Sequence, residues 1–273
     1  MDEIDFTIVT PSYNYSNYIR ECIESVLLQE GVKFEHIVFD ACSNDGSTEI
    51  LREYDHLDLT VEKDSGMTEA INKGFRKAKG KWVMWLNADD RLLPGSLSAF
   101  LTQADKHEDS DIIYGAWNNV DSKGDLLNRG KLVPFYLNMF AHSGCYIAST
   151  STFYRRSTTI DAGIILNEDY KYVMDGEFYC RLSKLGKKFS CIPNIIADFR
   201  VHGENLSLGF GDMKDASNCL KRQYMGAESI AIRRTYGITL FKNWHLNAMA
   251  DCILYYFYKI LKQPLKWFNS AKK

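Results

Sequence analysis

Up to Tyr114 the chain alternates short, β-rich apolar runs with longer stretches whose apolar residues recur at helical spacing. Phe6 to Thr10 reads as a strand. Tyr18 to Leu28 places Ile19, Cys22, Ile23, Val26 and Leu27 on one helical face. Phe34 to Phe39 is strand-like again, and Leu57 to Val61 forms a third strand. Met67 to Ala78 reads as a helix stopped at Gly80. Lys81 to Leu86 is a fourth strand, Pro94 opens a helix running to about His107, and Asp111 to Tyr114 is a fifth strand. This order predicts an α/β fold: a mostly parallel central sheet flanked by helices on both faces. Ligands of such sheets bind beyond the carboxyl ends of the strands.

Beyond Tyr114 the rhythm is less regular. Val120 to Leu127 carries Ser122-Lys123-Gly124-Asp125 and reads as a hairpin. Phe178 to Leu185 is a short helix, and Lys188 to Ile192 and Ile195 to Val201 are strands. After about Gly211 the chain turns helical. The expected division is a catalytic domain over residues 1–210 and a helical C-terminal extension over 211–273. Within the first, a nucleotide-binding half covers about 1–117 and an acceptor half about 118–210.

Composition narrows the class. The 273 residues are 45% hydrophobic and 25% charged, as in soluble globular chains. A net charge of -2 gives no electrostatic footprint for nucleic acid. Seven cysteines lie scattered without a Cys-x-x-Cys pair, which argues against a zinc knuckle or a disulfide framework. Free buried thiols in a reducing cytoplasm are expected instead. The acidic N-terminal residues lead straight into a strand, so no signal peptide is expected. No run reaches the roughly 20 apolar residues of a spanning helix.

The chemistry collects where the sheet predicts it. The first strand ends in Thr10-Pro11-Ser12-Tyr13-Asn14. The second ends in Asp40, followed by Ser43-Asn44-Asp45-Gly46-Ser47-Thr48. The third ends in Glu62-Lys63-Asp64-Ser65-Gly66 and the fourth in Asn87-Ala88-Asp89-Asp90. Each loop by itself is ordinary, since these are turn residues, and Asp45-Gly46 in isolation reads as a turn. Four together form one acidic rim, and clustered carboxylates need a cation to stay ionised. A hard divalent ion with oxygen ligands suits them.

These loops, with Asn72-Lys73-Gly74, Ser151-Thr152-Phe153-Tyr154-Arg155-Arg156, Met174-Asp175-Gly176-Glu177, Arg181-Leu182 and Arg200-Val201-His202, resemble glycosyltransferase family 2. Members of that family resembling this chain build bacterial surface polysaccharide. The resemblance spans residues 6 to about 206. It implies the GT-A fold and transfer of a sugar, with inversion, from a nucleotide-diphosphate sugar to an acceptor hydroxyl. The acceptor would be a saccharide or a lipid-linked saccharide, and the cofactor Mn²⁺ or Mg²⁺. Asp40 would accept a hydrogen bond from the base, in a pocket walled by Pro11 and Tyr13, with Asp64 also on the nucleotide side. Asn87-Ala88-Asp89 matches the family's Asp-x-Asp motif with Asn in the first place. Asp89 would hold the metal, Asn87 would face the ribose, and Asp90 is open as a helper ligand. His202 matches a late metal-binding His, or is an ordinary core or surface His. Asp175 matches the catalytic base, and a single displacement needs one such carboxylate. Glu177 reads as a solvated helix residue. Arg155 and Arg156 reach phosphate or acceptor, or are solvated.

Three other classes compete, and one of them, a nucleotidyltransferase, would need a Gly-rich phosphate loop with basic residues after the first strand, which the sequence lacks. A glycoside hydrolase would need paired carboxylates flanking a bond and no nucleotide site. A non-catalytic sugar-nucleotide-binding module of the same fold would have no use for Asp89 and Asp175 together.

Leu246 to Leu261 is apolar and aromatic, and Lys262, Lys266, Lys272 and Lys273 follow with Trp267 and Phe268 between them. It reads either as a helix packed on the catalytic domain or as an interfacial helix on the inner face of the cell membrane. Each basic residue near an anionic surface contributes about 1 kcal/mol. The membrane reading therefore predicts that the full chain co-sediments with anionic liposomes at low salt and is released at high salt. A chain ending at Leu246 would stay in the supernatant. Full-length protein remaining in the supernatant at both salts overturns that reading.

Overall fold

The computed structural model describes residues 3–203, 205, 216–238 and 253. The segment after Leu246 lies outside these residues, Ile253 excepted. In chain order the elements are β1 (Phe6–Ser12), α1 (Ile19–Leu27), β2 (Phe34–Asp40), α2 (Ser47–Leu51), β3 (Leu57–Val61), α3 (Met67–Lys77), β4 (Trp82–Trp85), β5 (Arg91–Leu92) and α4 (Ser96–Ala104). There follow β6 (Ile112–Val120), β7 (Leu126–Arg129), α5 (Leu137–Ser143), β8 (Thr152–Arg155), α6 (Met174–Lys184), β9 (Phe189–Arg200) and α7 (Ala216–Thr235). Among the described residues no helix is long and apolar enough to cross a membrane.

The strands form one sheet in the order β3-β2-β1-β4-β8-β6-β9-β5, with β7 hairpinned onto β6. The parallel character is confined to two places. β3, β2, β1 and β4 pair in parallel, as do β6 and β9, while β8, β5 and β7 pair antiparallel. The sequence suggested a mostly parallel sheet because the βαβ rhythm is regular only up to β4.

Both faces of the sheet are covered, so its inner strands are apolar throughout. Alternate residues go to opposite layers. Phe6, Ile8, Trp82, Met84, Ile113 and Phe153 meet α1 and α4 on one side. Val9, Val83, Trp85, Ile112 and Tyr114 meet α3 and α6 on the other. Helix α7 joins that second layer, where Ile232 is buried. Within the extension expected from residue 211, Ile232 and Ile238 are thus buried in the same core as α3 and α6.

Several boundaries differ from the sequence reading, for physical reasons. Gly80 does not cap α3, which ends at Lys77. A Cβ at Gly80 would lie 2.4 Å from the Phe6 carbonyl carbon, so the position serves close approach to β1. The strands read as Lys188–Ile192 and Ile195–Val201 are one strand, β9. The exposed Pro193 falls where the register against β6 shifts, a position that tolerates a missing N–H. Helix α6 starts four residues before Phe178, which puts Asp175 in its first turn.

Helix α3 lies close on β1 through Gly74, where a Cβ would stand 2.3 Å from Val9 Cγ1. Overpacking of this kind costs about 1–3 kcal/mol. Gly74→Ala should therefore lower unfolding free energy by about that amount in urea titration. Val9→Ala in the same chain should recover part of the loss.

Candidate active site

The loops after β1 and β2 are stitched into one platform. Asn14 donates its N–H to Ser43 Oγ at 2.9 Å, and its side-chain oxygen accepts from Asn44 N at 3.0 Å. Asp45 accepts from Ser16 N at 2.8 Å and from both Ser47 N and Ser47 Oγ at 3.0 and 2.6 Å. Burial would raise the Asp45 carboxyl, but these hydrogen bonds outweigh it and hold the pKa down to about 2. Gly46 follows at φ 99°, so Asp45-Gly46 is the structural turn its sequence suggests. Asn14 and Cys42 also have positive φ, at 60° and 61°. Such non-glycine geometry is unusual, and here it sits at the carboxyl ends of adjacent strands.

Asp40 is 1% exposed and ends β2 directly beside Ser12. One of its oxygens accepts from Ser43 N and Thr48 Oγ1 at 2.9 and 2.8 Å. The other accepts from Ser12 Oγ and Ser43 Oγ at 3.0 and 2.6 Å. A carboxylate has about four acceptor sites, so these donors fill it. Its first task is to hold the loop. Pro11 is buried in the β1 ladder, whereas Tyr13 is exposed at the rim of the platform. Asp64, after β3, accepts from Gly66 N at 2.9 Å. Burial pushes its carboxyl up, and the nearby Asp40 adds in the same direction. Asn72, on α3, binds the backbone of Leu166 through both ends of its amide, at 3.0 and 2.9 Å. That clasp ties α3 to the loop leading into α6.

Asp89 lies at the end of β4 against a residue 113 positions away: its Oδ2 is 2.9 Å from His202 Nε2. Strand β5 brings them together. Arg91 and Leu92 pair with Asp198 and Ala197, hooking the chain just after Asp89 onto β9 just before His202. Arg200, 1% exposed, then locks the join. Its Nε donates to Asp89 O at 2.8 Å, its backbone N–H to Asp90 Oδ1 at 2.8 Å, and its guanidinium to Glu21 at 2.7 Å. Tyr18 stacks on His202 at 5.1 Å and carries the Arg200 guanidinium 4.8 Å from its ring centre. Asn205 donates to Asp89 Oδ2 at 3.3 Å and to Arg200 O at 2.8 Å.

Asp90 points the other way. It accepts from Arg200 N and from Asn87 Nδ2, and burial followed by the Asp89 charge pushes its carboxyl well up. It acts as an internal brace between the loop after β4 and β9. The oxygen of that amide, Asn87 Oδ1, is buried and has no hydrogen-bond partner among the described residues.

Asp175 sits in the first turn of α6. One carboxylate oxygen accepts from Gly176 N at 2.7 Å, and the other is 3.6 Å from Cys145 Sγ. Burial raises its pKa against those hydrogen bonds. Glu177 is fully buried, contrary to the solvated position its sequence suggests. It is paired with Arg181 at 2.8 Å and accepts a hydrogen bond from the Tyr236 hydroxyl, because α7 covers this face of α6. Arg155 and Arg156 are structural. They donate to Ser110 O and Gly80 O at 2.9 Å, away from the carboxyl-end loops. Of the five thiols described, Cys22 and Cys180 are buried and Cys191 is partly so. Cys42 and Cys145 are exposed, unlike the buried thiols expected.

The donor set fits a divalent cation. Two ligands about 2.1 Å from one ion on adjacent corners of an octahedron stand about 3 Å apart. Asp89 Oδ2 and His202 Nε2 are 2.9 Å apart. A mixed oxygen and imidazole pair suits Mn²⁺ better than Mg²⁺. Among the described residues there is no cluster of three or more protein ligands, so substrate oxygens and water would complete the shell. Sequence reading missed Tyr18, Asn205 and the anchoring role of Arg200. A helix-face Tyr and a loop Asn carry no motif of their own.

Residues 7–160 match the family described as Glycosyl transferase family 2. The chain is 27% identical over 258 residues to the chondroitin synthase of Escherichia coli, covering 93% of this chain and 36% of that one. It is 38% identical over 90 residues to a putative teichuronic acid biosynthesis glycosyltransferase, TuaG, of Bacillus subtilis, covering 31% of this chain and 36% of that one. The chain thus spans about a third of the length of these curated relatives. Among solved structures, S. aureus TarS with UDP-GlcNAc superposes with a TM-score of 0.59 at 19% identity, covering 89% of this chain and 77% of that one. Mannosyltransferase PcManGT of Pyrobaculum calidifontis, with GDP-Man and Mn²⁺, gives 0.57 at 14% identity, covering 97% and 89%. These likenesses confirm the GT-A fold expected from the sequence, and the family match covers more than half of the chain. The chain belongs to glycosyl transferase family 2.

Proposed function

We propose that this chain transfers a sugar from a nucleotide-diphosphate donor to an acceptor hydroxyl, with inversion, in the synthesis of a bacterial surface polysaccharide. The carrying observation is the Asp89–His202 pair, assembled from distant segments beside an unpartnered Asn87 oxygen. The names of the chondroitin synthase and teichuronic acid relatives support polysaccharide as the product class. UDP-GlcNAc and GDP-Man in the neighbouring structures support a nucleotide-sugar donor and leave the base open.

In this reading Asp89 and His202 hold Mn²⁺ or Mg²⁺, which when bound neutralises the charge of the departing diphosphate. Asn87 offers its free oxygen to the ribose. Pro11, Tyr13 and Asp64 line the nucleotide side. Asp40 anchors the pocket, and it reaches the base only if the base displaces the Ser43 hydroxyl. Asp175 takes the acceptor proton, and its raised pKa makes it a stronger base than an exposed carboxylate. One base with a stabilised leaving group suffices for a single displacement, which supports inversion. The first domain, to residue 210, would carry these groups, with a cytoplasmic or inner-membrane-face setting for the acceptor.

A panel of UDP-, GDP- and dTDP-sugars with Mn²⁺, read by nucleoside diphosphate release, tests the assignment. Chelation should abolish release. Asp89→Asn and His202→Ala should each raise the Mn²⁺ needed by about 10-fold or more. Full turnover in chelator overturns the metal assignment.

Asp175→Asn should lower turnover about 10²- to 10⁴-fold while leaving donor affinity intact. The base works only when ionised, so wild-type turnover should rise with pH through its raised pKa and then level off. That acid limb lies above the range of an ordinary Asp. Weaker donor binding with unchanged turnover in Asp175→Asn would move the residue to the nucleotide side.

A further inference from the structure

Helix α7 lies beyond the motifs that define the site, yet it reaches directly to the helix that carries Asp175. The Glu228 carboxylate accepts three consecutive backbone N–H groups: Lys171 at 3.2 Å, Tyr172 at 3.1 Å and Val173 at 3.0 Å. Val173 is the N-cap of α6 and supplies no side-chain cap of its own. Donors at a helix start lack intrahelical partners and carry partial positive charge, so an acidic group there is stabilising. Here that group comes from a helix more than 50 residues downstream, the separation from Val173 being 55. Asp175 is two residues past the last of these donors.

We propose that Glu228 is a positioning residue for Asp175. By fixing residues 171–173 it fixes the first turn of α6, and with it the direction in which the Asp175 carboxylate meets the acceptor hydroxyl. The inference rests on the reading of Asp175 as the base. Tyr236, in the turn that follows the helix, adds a second hold through its hydroxyl to Glu177. Helix α7 thus grips α6 on both sides of Asp175. It does not depend on Glu228 to stay docked. Ile232 and Ile238 are buried in the core, and Arg233 donates to Ala141 O at 3.2 Å. Loss of Glu228 therefore loosens the turn without detaching the helix. Small displacements of a reacting group can cost about 10²-fold in rate.

The experiment compares the full chain with Glu228→Ala and Glu228→Gln, each alone and combined with Asp175→Asn. Hydrogen exchange should accelerate at amides 171–173 in Glu228→Ala, and less in Glu228→Gln, which keeps one acceptor oxygen. Turnover is measured on UDP-N-acetylglucosamine or GDP-mannose, whichever the wild type consumes with Mn²⁺. Glu228→Ala should lower kcat about 10- to 100-fold with donor KM unchanged. The Gln variant should fall less. In the Asp175→Asn background the same change should add no further loss, because the two residues act as one unit. An equal fold-loss in both backgrounds overturns positioning and leaves only a stabilising cap. Unchanged exchange at 171–173 overturns the cap itself. Full turnover in Asp175→Asn by itself refutes the base assignment, and the positioning role with it, whatever the exchange shows.

Discussion

A buried guanidinium holds this site together. Burying a charge is expensive unless every hydrogen-bonding group around it is matched. Arg200 is matched on all sides, by the Asp89 and Ser122 carbonyls, the Glu21 carboxylate and the face of Tyr18. Those partners come from the loop after β4, the β6–β7 hairpin and the start of α1, so the arginine ties three separate segments to its own strand, β9. The short β5–β9 pairing supplies the register, and Arg200 converts that register into a fixed position for the Asp89 backbone.

The acidic rim avoids self-repulsion by giving its members different work. Asp45 and Asp40 are saturated by backbone and hydroxyl donors, which turns negative charge into loop geometry. Asp90 is driven toward its neutral form by burial and by its neighbour. Asp89 instead meets the His202 imidazole and the Asn205 amide, the setting in which its proposed role as a cation ligand is placed. A cluster that looks uniform in the sequence is therefore divided by burial and hydrogen bonding into scaffold and chemistry.

The first half of the fold was legible because each buried parallel strand is a short apolar run closed by turn residues. The carboxyl-end rule then located Asp40, Asp64 and Asp89 without reference to side-chain contacts. Asp175 and His202 needed the family resemblance, since neither lies at the end of a strand with a clear βαβ rhythm. What escaped was tertiary. Nothing near Glu177 in the sequence announces that a helix some 50 residues later will bury it, as Tyr236 lies 59 positions away. Strand β5 has only two residues and no periodicity to detect, yet it joins the two halves of the candidate metal pair. The two strands read at Lys188–Ile192 and Ile195–Val201 are one, because β9 bulges around Pro193, where extra residues pass the step between Tyr114 and Ala116 of β6.

The long separation between Asp89 and His202 also sets a timetable for the newborn chain. Synthesis adds roughly 5–20 residues per second, and domains fold as they emerge. Strands β1 to β4 can pair early from local βαβ units. The 113 residues that separate Asp89 from its imidazole partner impose a delay of about 6 to 23 seconds at that pace. During that interval the platform formed by the loops after β1 and β2 can be in place while Asp89 still lacks its imidazole partner. The Asp89–His202 contact therefore arrives as a late event of biogenesis, once β9 docks, rather than growing with the length of the polypeptide.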